Sequence, residues 1–159
     1  MSTTVQINQS KSQIKEMPHN IEAEQGLLGA ILLNNDILFD ISEIIEIEHF
    51  FEEIHKKIYE VINKIVAKGQ LATPITLKNY FEIEKSLEEI GGSNYLARLA
   101  NAAVSLGYAK NYAQIIYDLA VRRNLYDLGG KLSFSAIESD MDINPSELIE
   151  EAERDLYQI

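Results

Sequence analysis

The chain has 159 residues, 46% of them hydrophobic, with 25 Asp plus Glu against 14 Lys plus Arg and a formal net charge of −11. That is enough apolar material for one domain with a real core, and too acidic for broad neutralisation of nucleic-acid phosphates. The absence of Cys excludes a disulfide framework, a zinc–thiolate site and a thiol nucleophile, no apolar run is long enough to span a bilayer, and the polar opening has no signal-peptide core; a cytoplasmic protein without a membrane role is expected.

Residues 1–17, rich in Ser, Thr, Gln and Asn and without periodicity, read as a flexible tail. A first helix is expected from Asn20 as N-cap, with Glu22 and Glu24 in its first turn and Ala23, Leu27, Leu28, Ile31 and Leu32 at helical spacing. Gly26, Gly29 and Ala30 give it small residues where a second helix can approach closely. A short helix follows from Asp36 to Ile45. Glu52 to Lys68 carries Ile54, Ile58, Val61, Ile62, Ile65 and Val66 at steps of three and four, the clearest amphipathic helix in the chain, closed by Lys68 and Gly69.

Thr73 before Pro74 is an N-cap with Pro at the first helical position. Ser86 caps a short turn stopping at Gly91 and Gly92, and Ser93 opens a helix through Tyr95, Leu96 and Leu99. From Tyr108 to Ile137 the apolar set Tyr112, Ile115, Ile116, Leu119, Leu125, Leu128 and Leu132 runs on, with Gly129 and Gly130 as the one weak point. A straight helix over that span is about 45 Å long, too long to pack on so small a body, so a hairpin or a projecting arm is expected. Asn144, Pro145 and Glu147 then supply N-cap, first-position Pro and a capping-box acid. The last helix bears Leu148, Ile149, Ala152 and Leu156 on an apolar stripe and reaches Ile159 without a C-cap, which suggests a chain that continues. With no convincing strand alternation, the fold class is all-α.

Charge is segregated. Asp36 to His55 holds seven acids and no Lys or Arg, and Glu138 to Asp155 holds eight acids against Arg154 alone, while Lys56 to Lys131 is net positive. These acidic stretches read either as solvated helix faces or as docking surfaces for a basic partner. Glu46 with His49 and Glu52 with His55 imitate the Glu-x-x-His pairs of di-iron bundles, but two pairs six residues apart cannot face one cavity from different helices. Gly129, Gly130 and Lys131 imitate the end of a phosphate loop, yet Leu125 and Leu132 occupy its required Gly and Ser/Thr positions. No catalytic, cofactor-binding or metal site is expected. Arg122 and Arg123, the only adjacent arginines, suit interhelical or intersubunit carboxylates, or a solvated face.

Several blocks in order, MPHNIEAEQGLLGAILLN, HKKIYEVINKIVAKG, TPITL, IGGSNYLARLA, NYAQIIYDLAVRRNL and SELIEEAERDLYQI, closely resemble the amino-terminal domain of the bacterial replicative helicase DnaB family. The resemblance runs from Met17 to Ile159. It implies a non-catalytic collar domain of a hexameric ring, a globular helical subdomain over 18–105, an oligomerising hairpin over 106–138 and a loop and linker helix over 139–159. It also implies a carboxy-terminal RecA-like motor outside this sequence, where ATP and magnesium are used. Implied partners are further copies of the chain (dimer, trimer of dimers or hexamer), the carboxy-terminal domain of primase, a helicase loader, and single-stranded DNA through the complete ring. Tyr112, Ile115, Ile116, Leu119, Arg122, Arg123, Leu125, Leu128 and Leu132 are the candidate oligomer interface, with the hairpin bend at Arg122 to Leu125. Leu148, Ile149, Ala152 and Leu156 are the candidate linker-helix contacts. Where the family often has a Pro-containing turn before the hairpin, this chain has Val104, Ser105, Leu106 and Gly107. The alternative is a free-standing helical adaptor for a basic protein.

Overall fold

The structure, a computed structural model, describes residues 16–82, 87–88 and 91–159. Nearly all of the expected tail, and the expected cap at Ser86, lie outside the described residues. Among those described every regular element is helical: α1 (Ile21–Leu33), α2 (Ile37–Ile41), α3 (Glu53–Ala67), α4 (Pro74–Phe81), α5 (Asn94–Asn101), α6 (Ala109–Glu138) and α7 (Pro145–Tyr157).

The helix starts follow local chemistry. Asn20 holds extended backbone and its side chain accepts the Ala23 N–H at 2.9 Å, satisfying one of the orphan donors of α1. Thr73 does the same for Thr76, whose hydroxyl in turn accepts from the Thr73 N–H, closing a reciprocal box before Pro74. Asn144 caps α7 through the Ser146 N–H. The expected helix over Asp36 to Ile45 is regular only as far as Ile41, and a turn bond from the Ile45 N–H to the Ile41 carbonyl carries the helical path further. Gly69, with φ +74°, takes the left-handed conformation that ends α3.

α1 is the axle of the body. Leu27, Leu28, Ile31, Ile41, Ile58, Ile62, Leu77, Leu96 and Leu99 are fully buried around it. A Cβ on Gly29 would collide with the Leu99 carbonyl oxygen, so α5 crosses α1 in backbone contact. Val104 then donates its backbone N–H to the Gly26 carbonyl at 3.1 Å, fixing the turn that leads into α6.

The expected bend at Arg122 to Leu125 does not exist. α6 is one unbroken helix of 30 residues through Gly129 and Gly130, and the antiparallel return is made by α7 after the turn at 139–144. Helical Gly costs about 1 kcal/mol relative to Ala, too little to break a helix that is held at both ends. Its first half packs on the body through Ala109, Ala113, Ile116 and Ala120. Its second half packs against α7, where Leu128, Leu132 and Ser135 line the seam with Leu148 and Ala152, and Lys131 reaches Asp155 at 2.5 Å and Glu151 at 3.0 Å. The structural hairpin is therefore α6 with α7, and the helix expected as a separate linker is its second arm.

Candidate functional site

Two polar arrangements and one apolar surface carry the functional argument. The first arrangement is buried. Glu24 and His55, 2% and 0% exposed, lie on the core-facing stripes of α1 and α3. The His55 Nδ1–H donates to Glu24 Oε2 at 2.5 Å, and its Nε2 is hydrogen-bonded to the Tyr95 hydroxyl of α5 at 2.6 Å. Gln25 donates to the same hydroxyl at 3.3 Å. Glu24 also accepts the Phe51 N–H at 2.6 Å and the Glu52 N–H at 3.4 Å, tying the segment that leads into α3 to α1. Burial raises the Tyr95 phenol above its ordinary value, keeping it a donor. The chain of bonds ties three helices together with each member satisfied, and its enclosure makes it a packing device.

The second arrangement joins body to hairpin. Arg123, midway along α6, donates to the Pro18 carbonyl at 2.7 Å and the His49 carbonyl at 2.8 Å, and its guanidinium sits 5.3 Å from the centre of Phe51. Phe51 stacks on His19 with 4.3 Å between ring centroids, and His49 meets Tyr117 edge-on. His49 Nδ1 accepts the Glu46 N–H at 2.9 Å. Its pKa is lowered by burial, which outweighs the opposing pull of Glu46 and is reinforced by Arg123.

The apolar surface is the outside of the hairpin. Tyr126, Phe134 and Ile137 on α6 are 70%, 67% and 79% exposed; Leu125 and Leu132 on α6, and Ile149 and Leu156 on α7, are also exposed. Leu119, Tyr126, Gly130 and Ile137 recur at steps of seven, four and seven on one face of α6. A Cβ on Gly129 or Gly130 meets nothing, so this face is open in the single chain.

Against that geometry the expected interface residues separate into groups. Ile116 is buried in the chain's own core and Tyr112 packs against it; Arg123 spends its donors within the chain. Those three make contacts within the chain. Leu119 is half-buried, Arg122 exposed, and Ile115 faces a groove at the body end of α6. Leu125 stays open, while Leu128 and the partly exposed Leu132 belong to the α6–α7 seam. Of the expected linker contacts, Leu148 and Ala152 turn toward α6, and Ile149 and Leu156 turn outward.

Gly129, Gly130 and Lys131 do not form a phosphate loop. They lie inside α6, and Lys131 is engaged by Asp155 and Glu151, which lift its pKa. No group of three or more His, Asp or Glu side chains among the described residues is placed to hold a metal ion, and none of their helices is long and apolar enough to cross a membrane.

Fold and surfaces thus define an all-helical module: a body locked by internal polar bonds, with a helical hairpin that leaves large apolar side chains exposed. The model of the DnaB-like helicase N-terminal domain matches residues 16–118. The chain belongs to that family. It is 46% identical over 143 residues to the replicative DNA helicase DnaB of Rickettsia felis, covering 90% of this chain and 29% of that protein. It is 30% identical over 142 residues to that of Geobacillus stearothermophilus, covering 89% and 31%. The chain therefore spans about a third or less of the length of these relatives. The crystal structure of the N-terminal domain of DnaB helicase from Mycobacterium tuberculosis superposes with a TM-score of 0.82 at 25% identity, covering 91% of this chain and all of that one. A DnaB-like replicative helicase, described with its interactions with primase, shares the fold with a TM-score of 0.67 at 23% identity, over 88% of this chain and 31% of that one.

Proposed function

We propose that this chain is the non-catalytic collar module of a replicative helicase ring, which self-associates through the outer face of the α6–α7 hairpin and offers the assembled collar to primase. The carrying observation is the row of exposed apolar residues, Leu125, Tyr126, Phe134, Ile137, Ile149 and Leu156, on two packed helices. Large apolar side chains left exposed on a hairpin that already buries its own seam mark a protein interface, and the row of Leu119, Tyr126, Gly130 and Ile137, with its steps of seven and four, suits helix-on-helix packing. Gly130 in the middle of that row permits close approach.

In the complete ring, unwinding of duplex DNA, contact with single-stranded DNA and the use of ATP and magnesium belong to the motor part of a full-length helicase. The fold match to a helicase studied with primase supports primase as a partner of the collar. The same family membership supports a helicase loader as a further partner and a cytoplasmic setting. This module contributes subunit pairing and a docking platform.

The test is light scattering of the purified chain over a range of concentrations. Mass should rise with concentration, and Tyr126→Asp with Ile137→Asp should hold it at the monomer value with an unchanged helical spectrum. Retained self-association in that double variant would reject the hairpin as the contact.

A further inference from the structure

A second surface, on the body rather than the hairpin, is built differently. Asp36, Phe39, Asp40 and Glu43 stand at i, i+3, i+4 and i+7 and are all exposed, while Ile37, Leu38, Ile41 and Ile45 on the opposite side are buried. Phe39 is 74% exposed. Nothing in the core requires an aromatic there, because α2 is already anchored by its buried side. Directly beyond Glu43 the chain enters a groove of about 490 Å³ lined by Ile44, Lys110, Asn111, Gln114, Ile115 and Asp118. Lys110 on the rim of that groove pairs with Asp40 at 3.7 Å, so the exposed side of α2, which also carries Phe39, borders a cleft lined by Ile44 and Ile115 with a polar rim.

Charge selects the occupant. Asp118, which accepts from Gln114, lines the groove and Asp40 pairs with Lys110 at its rim; Asp36 and Glu43 share the exposed side of α2 with Asp40. Such a surface repels nucleic-acid phosphate. It also disfavours a second copy of the same face, since a twofold contact sets these carboxylates against their own equivalents. A helix carrying Lys or Arg around an apolar stripe complements both features: its apolar residues cover Phe39 and enter the groove, and its cations meet the acidic rim. We infer that the outer face of α2, with the groove it forms against the start of α6, is a docking surface for a Lys/Arg-rich amphipathic helix of another protein. This surface does not depend on the hairpin contact.

The probe is a fluorescein-labelled synthetic helix of about 18 residues with Leu on one face and Lys elsewhere. Fluorescence anisotropy should show saturable binding to the wild-type chain. The Kd should rise at least ~10-fold for Phe39→Ser and for the triple variant Asp36→Asn, Asp40→Asn, Glu43→Gln, as expected when an anchor or a charge set is removed. Glu150→Gln with Glu153→Gln, in the other acidic stretch, should leave it unchanged. Peptides with Glu replacing Lys, or Ser replacing Leu, should not bind. Amide shift perturbations should centre on residues 36–45 and 110–118. All the altered side chains are exposed, and helical spectra check folding. Absence of binding, equal affinity in the triple variant, or perturbations centred on residues 138–155 would overturn the inference. So would loss of self-association in Phe39→Ser without peptide, which assigns the face to a second copy.

Discussion

Replacing Glu24 by Ala removes one carboxylate and strands three donors: the Phe51 N–H, the Glu52 N–H and the Nδ1–H of His55. His55 is fully buried, so water cannot replace the lost partner without opening the core. Removing one side of a buried ionic or charge-assisted pair costs about 3–5 kcal/mol, a large part of the about 5–15 kcal/mol that holds a domain together. At ~2–4 °C per kcal/mol for a chain of this size, the melting temperature should fall by about 6–20 °C. Glu24→Gln keeps an acceptor oxygen and should lose about 1–3 kcal/mol. Tyr95→Phe, which removes only the outer end of the chain of bonds, should cost about 1 kcal/mol. Urea unfolding followed by circular dichroism ranks the three. A Glu24→Ala loss below about 1 kcal/mol, or equal losses for Ala and Gln, would show that the network does not lock α1, α3 and α5 together.

The glycines should respond in opposite directions: Gly29→Ala forces α5 off α1 and should destabilise by about 1–3 kcal/mol or more, whereas Gly129→Ala, with open space around it, should stabilise the unassociated chain by up to about 1 kcal/mol, both read from thermal melts. Arg123→Ala should leave the body folded but raise amide hydrogen exchange around residues 18–20 and 46–51, because its two carbonyl bonds and its contact with Phe51 close that junction. His49 has a depressed pKa in the fold, so the unfolded chain takes up its proton first on acidification. Its contribution is present above the ordinary value of 6.5 and is lost as pH falls through the lower folded value. His49→Asn should therefore flatten the decline in melting temperature between about pH 7.5 and 5.

Much of this architecture is legible in local chemistry. Asn20, Thr73–Pro74 and Asn144–Pro145 mark helix starts because capping is settled within four residues, and α3 announces itself because its apolar stripe repeats over four turns. Gly29 was readable as a site of close approach for the same reason. The role of Glu24 was not: a carboxylate in a first helical turn reads as a partner for the helix dipole, and only the arrival of α3 and α5 turns it inward. A signal did exist, since Glu24 shares a stripe with Leu27, Leu28 and Ile31, and His55 shares one with Ile58, Ile62 and Ile65. An ionisable residue on an apolar stripe announces a buried bond whose partner is distant in sequence. The bend expected at Arg122 to Leu125 failed on another non-local fact. Length alone argues that so long a helix must fold back, but α7 packs along its far half and supports it, so the chain turns only at 139–144. The contacts of Arg123 and Ile116 within the chain were likewise hidden, because the body surface that receives them is assembled from residues far away in the chain.

Sedimentation velocity on the purified chain tests the central proposal most directly. The wild-type chain should move, with rising concentration, from its 18.0 kDa monomer to a dimer or larger even-numbered assembly, and the Tyr126→Asp, Ile137→Asp variant should stay monomeric. A wild-type chain that remains strictly monomeric at high concentration would contradict the account.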